Sequence, residues 1–165
     1  MPIRPIRQFP DPILKKNCQP VVALTLEVSR ALNDLVDTLN ASPGVGLSLP
    51  QIGFLWQGLA VDVSRRKKGG AGHGRIVLLN PRVVSSEGEQ VFREGCLSIP
   101  DFLADVKRAR RVRVEGMDVS GLPVRWDVED FEAVVFQHEI DHLSGILFLD
   151  RVSNAKTDVF RRKKP

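Results

Sequence analysis

Between Val128 and Ser144 the sequence describes a helix that is apolar on most sides, through Phe131, Ala133, Val134, Val135, Phe136, Ile140 and Leu143, yet it contains His138-Glu139-Ile140-Asp141-His142. A helix so apolar belongs in the interior. Two histidines and a glutamate inside it each need a partner there. Histidines four apart lie about 40° from each other around a helix and one turn along it, so both imidazoles can reach one metal ion. Glu139 is rotated about 100° from His138 and can address water beside such an ion without ligating it. Shuffling a chain with three histidines reproduces this pattern in roughly one sequence in 600. The rest of the chain must therefore wrap a buried, polar-cored helix.

A third ligand decides the chemistry. No glutamate follows Glu139, which excludes the thermolysin-like arrangement. Gly145 fits the longer metzincin pattern, but Phe148 stands where its third histidine belongs. Upstream, Cys96 in Glu94-Gly95-Cys96-Leu97-Ser98 and His73 in a glycine-rich stretch remain. An exposed, flexible loop is a poor place for a catalytic ligand, so Cys96 is the better candidate. Cys18 reads as a small buried hydrophobe.

The remaining pattern is mixed. Val28, Leu32, Leu35, Val36 and Leu39 recur at helical spacing between Thr25 and Asn40, and Ser42-Pro43-Gly44 ends that helix. Leu59–Val63, Arg75–Leu79, Arg82–Ser85, Val106–Val119 and Leu122–Trp126 read as strands, with Val112 and Val114 inward and Arg111 and Arg113 outward. Asp127 is a candidate cap of the histidine-bearing helix, with Trp126 and Phe131 as a hydrophobic staple. No stretch has the length and apolarity of a membrane span or a secretory leader. Two cysteines make no disulfide framework, which favours a reducing compartment. The expectation is one domain over residues 1–165.

Charge is concentrated. The net charge of +4 equals the four basic residues of the 161–165 tail, which is expected to be disordered. A second block, Arg65-Arg66-Lys67-Lys68, precedes the glycine-rich stretch. Both blocks read as solvated, or as weak, salt-sensitive contacts to a polyanion. No stacking-aromatic RNA motif accompanies them, which argues against sequence-specific nucleic-acid recognition.

Three motifs in order, Gly44-Val45-Gly46-Leu47-Ser48-Leu49-Pro50-Gln51, Glu94-Gly95-Cys96-Leu97-Ser98 and Gln137-His138-Glu139-Ile140-Asp141-His142, resemble those of peptide deformylases. The start, Phe9-Pro10-Asp11-Pro12-Ile13-Leu14, is also similar, so the resemblance runs from about residue 3 to about residue 153. It implies an α+β fold in which antiparallel β-sheets surround a central buried helix carrying the histidines, with a further N-terminal helix. It implies one divalent metal held by Cys96, His138 and His142, with Fe²⁺ favoured and Zn²⁺, Ni²⁺ or Co²⁺ accommodated. The implied activity is removal of the formyl group, as formate, from the N-terminal methionine of nascent chains in the cytoplasm; the four basic residues of the tail are expected to touch ribosomal RNA weakly, or nothing.

The same resemblance assigns roles. Glu139 moves the proton, and the Leu97 N–H and Gln51 amide face the oxyanion. Val45, Leu97 and Val134 are apolar pocket candidates, while Gly46 and Gly95 let the substrate backbone approach. Glu94 and Arg108 form a supporting ion pair. Asp141 either accepts from a ligating ring or faces water. Ser48 and Leu49 replace two small residues of the first motif, and Leu49 is expected to add bulk beside the site. Two other functions stay open from the residues: an amidohydrolase with another N-acyl preference, and a non-catalytic metal-stabilised binding protein.

Overall fold

The computed structural model describes residues 2–68 and 71–163. In chain order the elements are α1 (Leu26–Asn40), β1 (Gly46–Ser48), β2 (Gly58–Val61), β3 (Ile76–Glu87), β4 (Gln90–Cys96), β5 (Ile99–Arg108), β6 (Arg111–Met117), β7 (Pro123–Glu129), α2 (Asp130–His142), α3 (Ala155–Asp158) and β8 (Val159–Arg161). They build two antiparallel sheets, one ordered β1-β2-β3-β6-β7 and the other β4-β5-β8. No helix among the described residues is long and apolar enough to cross a membrane.

The first sheet is covered on both faces. Leu59, Val61 and Leu78 pack with Ala133, Val135 and Phe136 of α2. Their strand neighbours Ala60 and Leu79 pack with Val28, Leu32, Leu35 and Leu39 of α1. Alternate residues point to opposite faces, so β2 is buried along its whole length and reads as an unbroken apolar run. The second sheet closes over Leu14, Leu147 and Phe148, with Cys96, Ile99, Ala104 and Val106 turned inward.

Several element boundaries differ from the sequence expectation, each for a local reason. The Asn80-Pro81 break lies inside one continuous β3: Asn80 takes a positive φ of 50° beside a register shift. Its side-chain amide bonds both the N–H and the carbonyl of Val21, at 2.8 Å each, which holds that conformation. The run expected as one strand over 106–119 is two strands. At the turn between them, Gln137 of α2 accepts from the Ala109 N–H at 3.0 Å and donates to its carbonyl at 2.9 Å. Asp127 is not a helix cap. It pairs across strands with Arg113 at 2.7 Å, which extends β7 to Glu129 and delays α2 to Asp130. The tail expected to be disordered begins inside a strand, since Arg161 closes β8 opposite Phe102. Residues 164 and 165 lie outside the described residues.

Leu49 also behaves differently from expectation. It is fully buried in the α1-facing cluster and is absent from the lining of the cleft described below. A Cβ added at Gly58 would stand 2.5 Å from Leu49 Cδ1, so the bare strand residue makes room for the leucine. Gly58→Ala should cost about 2 kcal/mol by overpacking. Removing the leucine as well should relieve part of that cost. A denaturant double-mutant cycle over Gly58→Ala and Leu49→Ala checks the coupling, and additivity within about 0.5 kcal/mol would show that the two side chains do not compete for space.

Candidate metal centre

A strand of the second sheet and the helix α2 deliver three donors to one point. Cys96 ends β4, while His138 and His142 stand one turn apart on α2. Their ligand atoms lie within 4.8 Å of one another, and all three residues are buried. Cys96 Sγ is 3.4 Å from His142 Nε2. A sulfur at about 2.3 Å and a nitrogen at about 2.0 Å from a tetrahedral ion would be about 3.5 Å apart.

The surrounding hydrogen bonds orient these donors. His138 Nδ1 donates to Glu94 Oε1 at 2.8 Å, which leaves Nε2 to face the cluster. Arg108 grips the same carboxylate through Nε and Nη2, at 2.7 and 2.9 Å, so the ion pair expected between Glu94 and Arg108 is formed. Arg108 Nη1 donates to Asp141 Oδ2 at 2.7 Å, and Asp141 also accepts from Arg151 Nη2 at 2.8 Å. Asp141 thus neither accepts from a ligating ring nor faces water; it anchors Arg108. Two acidic groups and two arginines are stitched together behind the histidines.

Burial pushes His142 well below its ordinary value, with the charges of His138 and Arg108 acting the same way, so its imidazole is neutral. Burial also opposes charge on His138, but the Cys96 thiol and the Glu94 and Glu139 carboxylates outweigh it and raise the group. Glu94 is itself held below the usual carboxylate range: burial opposes this, and the bonds to Arg108 and His138 overcome it. Burial pushes Glu139 up to about 7. Its Oε2 and the Nδ1 of His142 are buried without a hydrogen-bond partner among the described residues. A buried thiol and two imidazoles beside an unpartnered carboxylate fit a borderline divalent cation by donor chemistry and by spacing.

Gln51 is held by Ser48 and Ser98, neither of which was expected to position it. Its Oε1 accepts from the Ser48 N–H and from Ser48 Oγ, both at 2.9 Å. Its Nε2 donates to Ser98 Oγ at 3.0 Å and lies 3.6 Å from Cys96 Sγ. The amide orientation is therefore set, with the nitrogen toward the cluster. The backbone behind it is clamped by the start of the chain: Arg7 N–H donates to the Gln51 carbonyl at 2.7 Å and Phe9 N–H to the Ser98 carbonyl at 2.9 Å. The only sequence signal for this arrangement was one serine in each of the first two motifs.

A cleft of about 640 Å³ opens over the cluster, lined by Cys96, His138, Glu139 and Gln51. The expected Val45, Gly46, Gly95, Leu97 and Val134 all line it. Phe92, Phe131, Arg66 and Arg162 do so as well, and none of these four was expected there. A Cβ at Gly46 would meet Glu139 Oε1 at 3.1 Å and Val135 at 2.8 Å, so this glycine makes room for the carboxylate. A groove of about 790 Å³ elsewhere, along β6 and β7, contains none of the cluster residues. His73 borders that groove and is not the flexible loop residue expected. Its backbone N–H and Nδ1 meet the Glu132 carboxylate at 3.0 and 2.6 Å, and its ring stands edge-on to Trp126.
Cys18 is buried as expected, and burial pushes its thiol up to about 11.

The family model for polypeptide deformylase matches residues 3–158. A peptide deformylase of Desulfotalea psychrophila is 40% identical over 163 residues, 99% of this chain and 95% of that one. One from Heliobacterium modesticaldum is 44% identical over 154 residues, covering 93% and 97%. Among solved structures, a peptide deformylase from Legionella pneumophila superposes with a TM-score of 0.86 at 40% identity, over 94% of this chain and 89% of that one. The enzyme from Thermotoga maritima gives 0.84 at 32% identity, over 93% and 100%.

Proposed function

The chain belongs to the peptide deformylase family, hydrolases that release formate from N-formylmethionyl nascent chains, and from this we propose which of its residues perform that reaction. Cys96, His138 and His142 would hold one divalent ion, with Fe²⁺ favoured by the family resemblance and Zn²⁺, Ni²⁺ and Co²⁺ suited to the same donors. When bound, that ion supplies Lewis acidity toward water and the formyl carbonyl. The observation that carries the reading is Glu139 Oε2, buried and unpartnered beside three converging donors.

The protein's own groups account for the remaining steps. Glu139 takes a proton from the attacking water as a C–O bond forms at the formyl carbon. It returns that proton to the amine as the C–N bond breaks, leaving formate and a free N-terminus. A carboxyl poised near 7 is matched to both transfers. Gln51 Nε2, fixed by Ser48 and Ser98, and the Leu97 N–H in the turn after β4 would face the developing oxyanion. Val45, Leu97 and Val134 give the methionine side chain an apolar wall, with Gly46 and Gly95 opening its floor. Glu94 orients His138, Arg108 holds Glu94, and Asp141 holds Arg108. We take residues 1–165 as one catalytic domain in which the two sheets enclose α2, working in the cytoplasm where nascent chains arise.

A different N-acyl preference was suggested by Leu49, and that side chain packs away from the cleft against Gly58. The test is formate release from formyl-Met-Ala-Ser after anaerobic loading with Fe²⁺. Activity should disappear on chelation and return with the ion. Release that survives complete metal removal, or a preference for the acetyl analogue, would overturn the assignment.

A further inference from the structure

Two basic segments far apart in sequence meet at one opening. Within the first block, Arg65 turns to the end of α1, where it donates to the carbonyls of Leu39 and Ser42 at 2.5 and 2.8 Å. Arg66 points the other way. Its guanidinium lies 4.0 Å over the ring of Phe131 and 5.5 Å from that of Phe92, two aromatic residues that line the cleft. The second block arrives because β8 pairs with β5, the neighbour of the Cys96-bearing strand. Arg162 follows β8, and its Nη2 lies 2.5 Å from where a Cβ of Gly95 would be, one residue before Cys96.

Both guanidiniums line the cleft, and neither forms an ion pair among the described residues. Arg93, also in the lining, is already matched by Asp105 at 2.9 Å. The carboxylates in the lining are Glu94 and Glu139, both buried. The rim is therefore cationic and its positive charge is uncompensated.

A formylated methionine has no α-ammonium group, so the substrate is uncharged at the reacting end. Charge can reach the rim only from side chains farther along. On the deformylase reading above, we propose that Arg66 and Arg162 are specificity residues that favour formyl-methionyl chains with Asp or Glu among the residues just after the methionine. The aromatic rings beneath Arg66 hold its charge in place, and like charge on a Lys-bearing chain is repelled.

The test compares formyl-Met-Ala-Asp-Asp-amide with formyl-Met-Ala-Lys-Lys-amide on the metal-loaded enzyme. The ratio of their kcat/KM values within one preparation is independent of folding yield and metal content. It should favour the acidic peptide about tenfold at low salt and fall toward unity at about 0.5 M salt. Arg66→Ala with Arg162→Ala should bring the low-salt ratio close to one. Arg82→Ala, which removes one positive charge at an exposed position paired with Glu115, should leave it intact. A wild-type ratio near one, a ratio indifferent to the double variant, or an equal loss in Arg82→Ala would each overturn the proposal. Salt-sensitive binding of an oligoribonucleotide, lost in the double variant while the peptide ratio stays near one, would overturn it by assigning the rim to RNA. Absence of formate release from either peptide would instead refute the underlying deformylase reading.

Discussion

Glu139→Gln should lower formate release by about 10³-fold while metal content is unchanged. The amide keeps the size of the carboxyl in a position that is 3% exposed, so the helix and its two histidines have no reason to move. It cannot take and return a proton, and no other carboxylate in the cleft is free to do so, because Glu94 is bound by Arg108 and His138. Formate kinetics and metal analysis on one sample check this, and a loss below tenfold would remove Glu139 from the proton path. The variant also carries a stability signature. A carboxyl raised from 4.5 to about 7 by burial destabilises the fold when ionised, fully above pH 7 and not at all below the unfolded value. Metal-free Glu139→Gln should therefore melt above metal-free wild type at pH 8, with the gap closing as the pH falls toward 4.5.

Glu94→Ala should be the most destabilising single change in the site. It leaves the Arg108 guanidinium, whose side chain is 4% exposed, with Asp141 alone, and it frees the Nδ1–H of His138. Breaking a buried pair from one side costs about 3–5 kcal/mol. For a chain of this length that is a fall in Tm of about 10 °C. Losing the group that orients His138 should weaken metal affinity by about 10–100-fold. Adding Arg108→Met separates the two effects: thermal stability should recover in part, and metal affinity should not. Full recovery of affinity in the double variant would show that Glu94 acts only as a counter-ion.

How far the sequence foretold this site depends on distance along the chain. His138, Glu139 and His142 were legible because helical periodicity places them and the apolar surround demands partners for them. Cys96 followed from elimination and from the ordered motifs. Ser48 and Ser98 were not legible as a pair, because each acts through Gln51 and they come together only when β1 and the turn after β4 are packed side by side. Arg66 and Arg162 were visible only as charge; the pairing of β8 with β5 is a long-range event with no local signature. Strand limits failed for the same reason. The Asn80-Pro81 break and the turn at Ala109 are decided by side chains from elsewhere, Asn80 reaching Val21 and Gln137 reaching Ala109. Leu49 misled because its bulk was weighed without Gly58, which accommodates it.

The convergence of Cys96 with His142 joins residues 46 positions apart, the second of them close to the end of the chain. During translation the sulfur leaves the ribosome well ahead of the imidazoles. The opening residues that brace Gln51 and Ser98 wait still longer for their place to exist. The three donors can come together only after α2 has been made, so a half-made copy holds no assembled site.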